Sequence, residues 1–263
     1  MPRFHAAALA LLIATLALVS QGCASYAVRS QAADMTLFAD DEAARLMADR
    51  ESQTQFDIEQ ALRKKPLAAF PTGIAVAQVE GIDVSRYSRN ATRARYALVG
   101  TRQHATEDQL AKIQALSMVV GVAPINRMLL VSELEDDAAL REAAARLHAD
   151  LLLVYTFDTE VYLGDTDSPV DVVTLGFIPS RTARVASTAS SLLLDTRNGY
   201  LYAVAEGSSE HTQPANLWTT RSAVDDARRR AERDALADMV DSFADAWPTV
   251  IEQHAPAAAH ATP

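Results

Sequence analysis

One cysteine, Cys23, is all that 263 residues contain, so no internal disulfide can form and stability has to come from packing. Long apolar runs are scarce as well, which makes a permanent transmembrane anchor the weaker reading. The longest apolar run, Ala6 to Val19, falls short of the roughly 20 residues that crossing a bilayer requires. Clustered cations are also scarce: 24 Lys and Arg stand against 34 Asp and Glu, for a formal net charge of −10. That balance excludes a nucleic-acid binder and a polybasic membrane patch, both of which need grouped cations facing phosphates. Catalytic signatures are equally thin. No Gly-x-Ser-x-Gly elbow and no Gly-rich phosphate loop occurs, and His104, His148, His254 and His260 lack metal-ligand spacing.

What is present begins with an export leader. Arg3 precedes the apolar run, which gives way to small and polar residues ending at Val19-Ser20-Gln21-Gly22-Cys23. That block resembles the lipobox of bacterial lipoproteins, with Ser20 where leucine is usual. The resemblance implies that residues 1–22 are a removed signal peptide and that Cys23 becomes an N-terminus carrying fatty acids such as palmitate. An ordinary secretory cut near the same place is the other reading of these residues, and a free or intermolecularly paired thiol is the other reading of Cys23. Two or more acyl chains, at roughly 0.8 kcal/mol per buried methylene, would hold the chain on a membrane without help from the polypeptide. Ala24 and Ser25 follow the cysteine where an aspartate would otherwise stand, which by likeness to Gram-negative lipoproteins implies the periplasmic face of the outer membrane.

The remainder divides into a tether with one or two amphipathic helices over 23–72, a domain over 73–250 and a disordered Pro/Ala tail over 251–263. In the tether, Met35, Phe38, Leu46 and Met47, then Phe56, Ile58 and Leu62, recur at roughly helical spacing. Gly73 to Val79 reads as a buried strand, and Tyr96 to Val99 as a second short one after an arginine-rich loop. Thr106 and Gln109 have the spacing of a capping box ahead of a helix with Leu110, Ile113, Leu116 and Val120 on one face, stopped by Gly121. Met128 to Val131 reads as a strand, and Asp136 and Asp137 open a helix bearing Leu140, Ala143, Ala144 and Leu147. Ala149 to Phe157 is apolar on both faces at first, as a central covered strand would be; Phe157, Thr159 and Val161 then alternate with Asp158 and Glu160. Val172 to Ile178 and Thr182 to Leu194 are further extended stretches. Asn198-Gly199 predicts a tight hairpin turn between Leu194 and Tyr200, and Trp218 to Val250 a long closing helix with Val224, Ala227, Ala231, Ala235, Met239, Phe243 and Trp247 on one face.

That order of elements predicts an α/β fold: a mixed sheet with helices packed on it, an antiparallel hairpin in the C-terminal half and a long C-terminal helix. Together with the stretches Ala144 to Glu160 and Ser191 to Gly207, it resembles periplasmic lipoproteins of the curli-secretion (CsgG-like) and penicillin-binding-protein activator (LpoB-like) types. More narrowly, it resembles the rhombotarget lipoproteins. The likeness implies a non-enzymatic, lipid-anchored module of the cell envelope without a cofactor, binding another envelope protein or its own copies. A shallow apolar surface beside Tyr200 and Tyr202 would be its binding site. The competing reading is an exported hydrolase or ligand-binding enzyme. Its candidate groups are His211, beside Ser208, Ser209 and Glu210, and the carboxylates Asp158, Glu160, Asp165, Asp167 and Asp171, which could hold a Ca²⁺ ion or act as an acid/base pair. The two readings part on whether Asp158, Glu160 and His211 converge in one deep pocket.

Overall fold

The computed structural model describes residues 32–33, 50–81, 96–100, 107–130, 134, 136–165, 181–215 and 220–255. Cys23 and the leader, the arginine-rich loop, Thr106, the expected strand Val172 to Ile178 and the end of the tail lie outside the described residues. Helix α1 (Arg50–Arg63) precedes β1 (Thr72–Gly81) and β2 (Tyr96–Val99). Helix α2 (Glu107–Gln114) leads to β3 (Val119–Pro124), then a 3-10 turn (Arg127–Leu129) and helix α3 (Ala138–Arg146). Three long strands follow, β4 (Leu151–Asp165), β5 (Arg181–Asp195) and β6 (Leu201–Ala215), and α4 (Thr220–His254) closes the order.

The six strands make one mixed sheet in the order β2-β1-β4-β5-β6, with β3 also paired to β1. β1 runs parallel to β3 and β4 and antiparallel to β2, whereas β4, β5 and β6 form an antiparallel meander. This is the α/β class that the pattern of apolar runs indicates. The first half of β4 shows why. Leu151, Leu153, Tyr155 and Phe157 join the core under α4 and α2, while Leu152 and Val154 join Leu140, Ala143 and Ala144 of α3 on the opposite face. A strand apolar on both sides is stable only between two helical layers.

The β1–β4 ladder stops at Ala77 and Val154. Beyond it the meander continues as a three-stranded ribbon, still paired at Asp165 and Arg181. Here α4 covers one face with Ala227 and Ala231 against Val185, and the other face carries the exposed side chains of Asp158, Glu160, Tyr162 and Arg184. All seven inward positions expected on the closing helix, from Val224 to Trp247, are buried. Their small members let the helix come unusually close to β6. A Cβ added to Gly207 would stand 2.1 Å from the Met239 nitrogen and 2.6 Å from the Ala235 carbonyl oxygen.

Four local expectations are corrected. The helix read through Val120 ends at Gln114; Met118 takes a positive φ of 64°, and Val119 and Val120 begin β3. The Trp247 Nε1–H donates to the Ser117 carbonyl at 2.8 Å across that turn, and the β-branched residues after it complete the edge of β1. Met128 to Leu130 is no strand. The Asn126 side chain accepts from the Met128 amide at 2.9 Å and winds a 3-10 turn, with both β3 and β2 already occupying that edge of β1. The hairpin loop is four residues, Thr196 to Gly199, closed by Asp195 N–H to Tyr200 O at 2.8 Å and Gly199 N–H to Asp195 O at 2.9 Å. Only Gly199, at φ 68°, takes the left-handed region there, so the two-residue turn with positive φ at both positions is not formed. Finally, α4 runs to His254, through the first residues assigned to the tail.

Ahead of α1, the described residues Ala32 and Ala33 touch the body. Ala32 forms an antiparallel bridge with Glu80, and the Ala33 amide donates to Thr156 Oγ1 at 2.9 Å, in the opening where β1 and β4 part. Helix α1 keeps Ile58 and Leu62 exposed, so its apolar positions are not part of the core.

The close helix–strand approach makes Gly207 the most demanding glycine. Gly207→Ala is expected to cost about 3 kcal/mol, at the upper end of overpacking penalties, because backbone atoms leave a methyl no room. Gly121→Ala, with nothing within 4 Å of its added Cβ, is expected to change stability by less than about 0.5 kcal/mol. Urea unfolding of the two variants measures both.

Candidate functional site

Sheet register decides the first candidate. Glu160 pairs with Ala186, which pairs with Glu210; Val161 pairs with Val185, which pairs with His211. Neighbours across a sheet share a face and successive residues alternate. Asp158 and Glu160 therefore lie on the exposed face of the ribbon, and His211 lies on the face covered by α4. They do not converge. His211 instead places its Nε2 2.6 Å from Asp234 Oδ2 of α4, while the Ser208 amide donates to Asp238 Oδ2 at 3.0 Å, so the group once suggestive of a nucleophile set fastens β6 to the helix.

On the exposed face the Tyr162 hydroxyl donates to Glu160, and Arg184 pairs with Glu210 of β6 at 2.6 Å. The side chains of Asp165, Asp167 and Asp171 lie outside the described residues. Among the described residues, no group of three or more His, Cys, Asp or Glu side chains is placed to hold a metal ion.

Between α4 and the ribbon lies a polar cluster that the sequence reading missed. Glu232 is 2% exposed, and its Oε1 accepts from Thr159 Oγ1 at 3.2 Å and from Arg228 Nε at 2.6 Å. Thr159 Oγ1 lies 2.9 Å from Ser187 Oγ. A buried carboxylate needs such partners. Only its place next to Ala231 on the inward face of the helix could have signalled it.

The second missed group is Asp195, fully buried at the start of the hairpin loop. Its Oδ2 accepts from the Leu67 amide at 2.8 Å and from the Tyr202 hydroxyl at 3.1 Å, and its Oδ1 from the Arg197 amide at 2.8 Å. The Tyr202 oxygen accepts in turn from the Ala68 amide at 3.0 Å, and Asn198 Nδ2 donates to the Lys65 carbonyl at 2.7 Å. Arg197 reaches Asp150 Oδ1 at 2.6 Å. One carboxylate thus ties the linker after α1 to the sheet. An aspartate opening a turn caps its own backbone two residues on, which was legible; the linker's arrival was not.

Tyr200 and Tyr202, the expected apolar binding surface, stack edge-on with each other and with His254 of α4. Both are half-buried, and the exposed apolar side chains nearby are Leu201 and Val204. Burial pushes the Tyr202 phenol up to about 12; the Asp195 carboxylate adds to the rise and the Ala68 amide opposes it. Burial also lowers the pKa of His254.

What the geometry defines is an α/β protein with a half-covered ribbon and an internally tied hairpin. No family model and no curated protein matches the chain. Two solved structures show slight likeness. One is described as a "putative lipoprotein from Caulobacter crescentus CB15", at 15% identity and a TM-score of 0.25, covering 43% of this chain and 80% of that one. The other is a Xanthomonas campestris protein, described by the family model DUF330, at 11% identity and a TM-score of 0.30, covering 71% of this chain and 91% of that one.

Removing the Asp195 carboxylate leaves buried donors unpaired, so Asp195→Ala is expected to destabilise by about 3 kcal/mol and Tyr202→Phe by about 1 kcal/mol in denaturant unfolding. The tyrosine also sets a pH dependence. Its folded pKa lies above the ordinary value of 10, so the stability held by the neutral phenol is complete below pH 10 and is lost as pH rises through about 12. Unfolding followed across that window should decline more shallowly in Tyr202→Phe than in the parent chain.

Proposed function

We propose that this chain is a lipid-anchored protein of the bacterial outer membrane whose α/β body serves, on the periplasmic side, as a structural or partner-binding module. It would act without catalysis, in the manner of the CsgG-like and LpoB-like lipoproteins that its order of elements resembles. The observation that carries the reading is the sole cysteine at the end of an apolar leader, in the block Val19-Ser20-Gln21-Gly22-Cys23. Acylation gives that lone thiol a use, where an odd cysteine in an exported chain otherwise calls for an intermolecular partner.

Two structural facts accord with this reading. Asp158 and Glu160 lie across the sheet from His211, so the arrangement that would have favoured a hydrolase is not formed. Among the described residues no helix is long and apolar enough to cross a membrane. The partner is another envelope protein or a second copy of the chain, with no nucleic acid involved.

Fractionation of a Gram-negative host expressing the full chain tests the anchor. The parent protein should sediment with outer membranes, and its N-terminal peptide should begin at Cys23 with the mass of attached fatty acids. Cys23→Ser should move most of the protein to the soluble fraction. An intact leader, an unmodified thiol on the native protein or a Cys23→Ser chain still bound to outer membranes would overturn the reading. In-cell crosslinking followed by mass spectrometry should then recover a recurrent envelope partner or the chain itself.

A further inference from the structure

We propose that the free end of the β4–β5–β6 ribbon, at Tyr162–Asp165, Arg181–Arg184 and Thr212–Ala215, faces the phospholipid surface that carries the anchor. The proposal rests on the lipoprotein reading of Cys23 and adds an orientation and a lipid-contacting end to it.

The argument starts at Ala32, the first described residue after the cysteine. Its bridge to Glu80 is antiparallel, so the backbone passing through Ala32 and Ala33 runs opposite to β1 and β4 and comes from the side on which the ribbon extends. The Ala33 amide on Thr156 Oγ1 holds this direction from the β4 side. Ala77 stands opposite Val154 in the parallel ladder, which puts Glu80 about level with Phe157. From Phe157 to Asp165 the ribbon rises eight steps, about 27 Å at the usual strand rise. Cys23 is nine residues before Ala32, and nine residues reach at most about 32 Å when fully extended. A chain that approaches from the ribbon side on so short a lead holds the ribbon's end at the surface where the lipid is inserted.

The chemistry of that end agrees. Tyr162 is exposed with its hydroxyl bound to Glu160, an apolar ring with a polar tip of the kind enriched at membrane–water interfaces. At the other end of the sheet the polar hairpin loop and Lys64 and Lys65 stand well away, about 48 Å down the fifteen-residue strands.

The test uses the acylated full chain in phosphatidylethanolamine–phosphatidylglycerol vesicles. Acylation consumes the native thiol, so a new cysteine takes the only label. Fluorophores placed by Tyr162→Cys, or by Thr212→Cys should the first variant fold poorly, are compared with one placed by Lys65→Cys. Lipids with a spin label just below the headgroup should quench the ribbon-end fluorophore at least three-fold more than the Lys65 one. Equal quenching, no quenching of either, or stronger quenching at Lys65 would overturn the orientation while the protein still floats with the vesicles. A chain that fails to float, or whose Cys23 takes up label, would overturn the anchor itself and the orientation with it.

Discussion

The packing of one long helix on a strand ribbon through small side chains sets the terms for the whole molecule. Ala227, Ala231 and Ala235 face Val185, Ala189 and Gly207, so the helix axis lies nearer the sheet than bulky residues would permit. At that spacing the interior has room for little beyond methyl groups. A charged group buried under the helix, Glu232, accepts from Thr159 of β4, which is itself bonded to Ser187 of β5, and from Arg228 of its own helix. Toward its C-terminal end the helix changes character, and Met239, Phe243 and Trp247 fill the wider space under β1 and β4. A gradient from small to large along one helix face thus matches the change from a two-layered ribbon to a three-layered body.

The second constraint is polar. Asp195 gathers the linker after α1, the hairpin loop and Tyr202 around one buried carboxylate, and the Tyr202 ring rests on Phe70 and His254. Both the start of the domain and the end of α4 are thereby referred to the same hairpin. A residue placed in the sequence as an ordinary turn former joins its own hairpin to a linker 128 residues earlier in the chain.

Periodicity carried most of the fold. The helical repeat from Val224 to Trp247, the double-faced apolar start of β4 and its alternation beyond Phe157 were all legible, because each reports a burial pattern that the local chain must satisfy. Expectations failed where tertiary pairing competed with local pattern. Val119 and Val120 fitted a helical face but complete an edge of β1, and Met128 to Leu130 had strand composition but no free edge to join. The candidate chemistry at Asp158, Glu160 and His211 dissolved for a simple geometric reason. An odd separation across paired strands sends the groups to opposite faces, and that is visible only once register is known. Glu232 and Asp195 were hidden because one partner of each is remote in the chain, Thr159 at a separation of 73 residues from Glu232 and Leu67 at 128 from Asp195.

The position of α4 after every other described element bears on how the body comes to be folded. The inner face of the ribbon, from Ala183 to Ala189 on β5 and at Ala205 and Gly207 on β6, has no cover from any earlier described element. A polypeptide made from its N-terminal side would expose that face until α4, which follows every other described element, was free, and Trp247 would reach the core after the strands. Slow, non-local closure of this kind leaves a late intermediate with bare sheet surface, which is prone to self-association. Holding such a chain apart from its neighbours until the last helix arrives would be a task for chaperones.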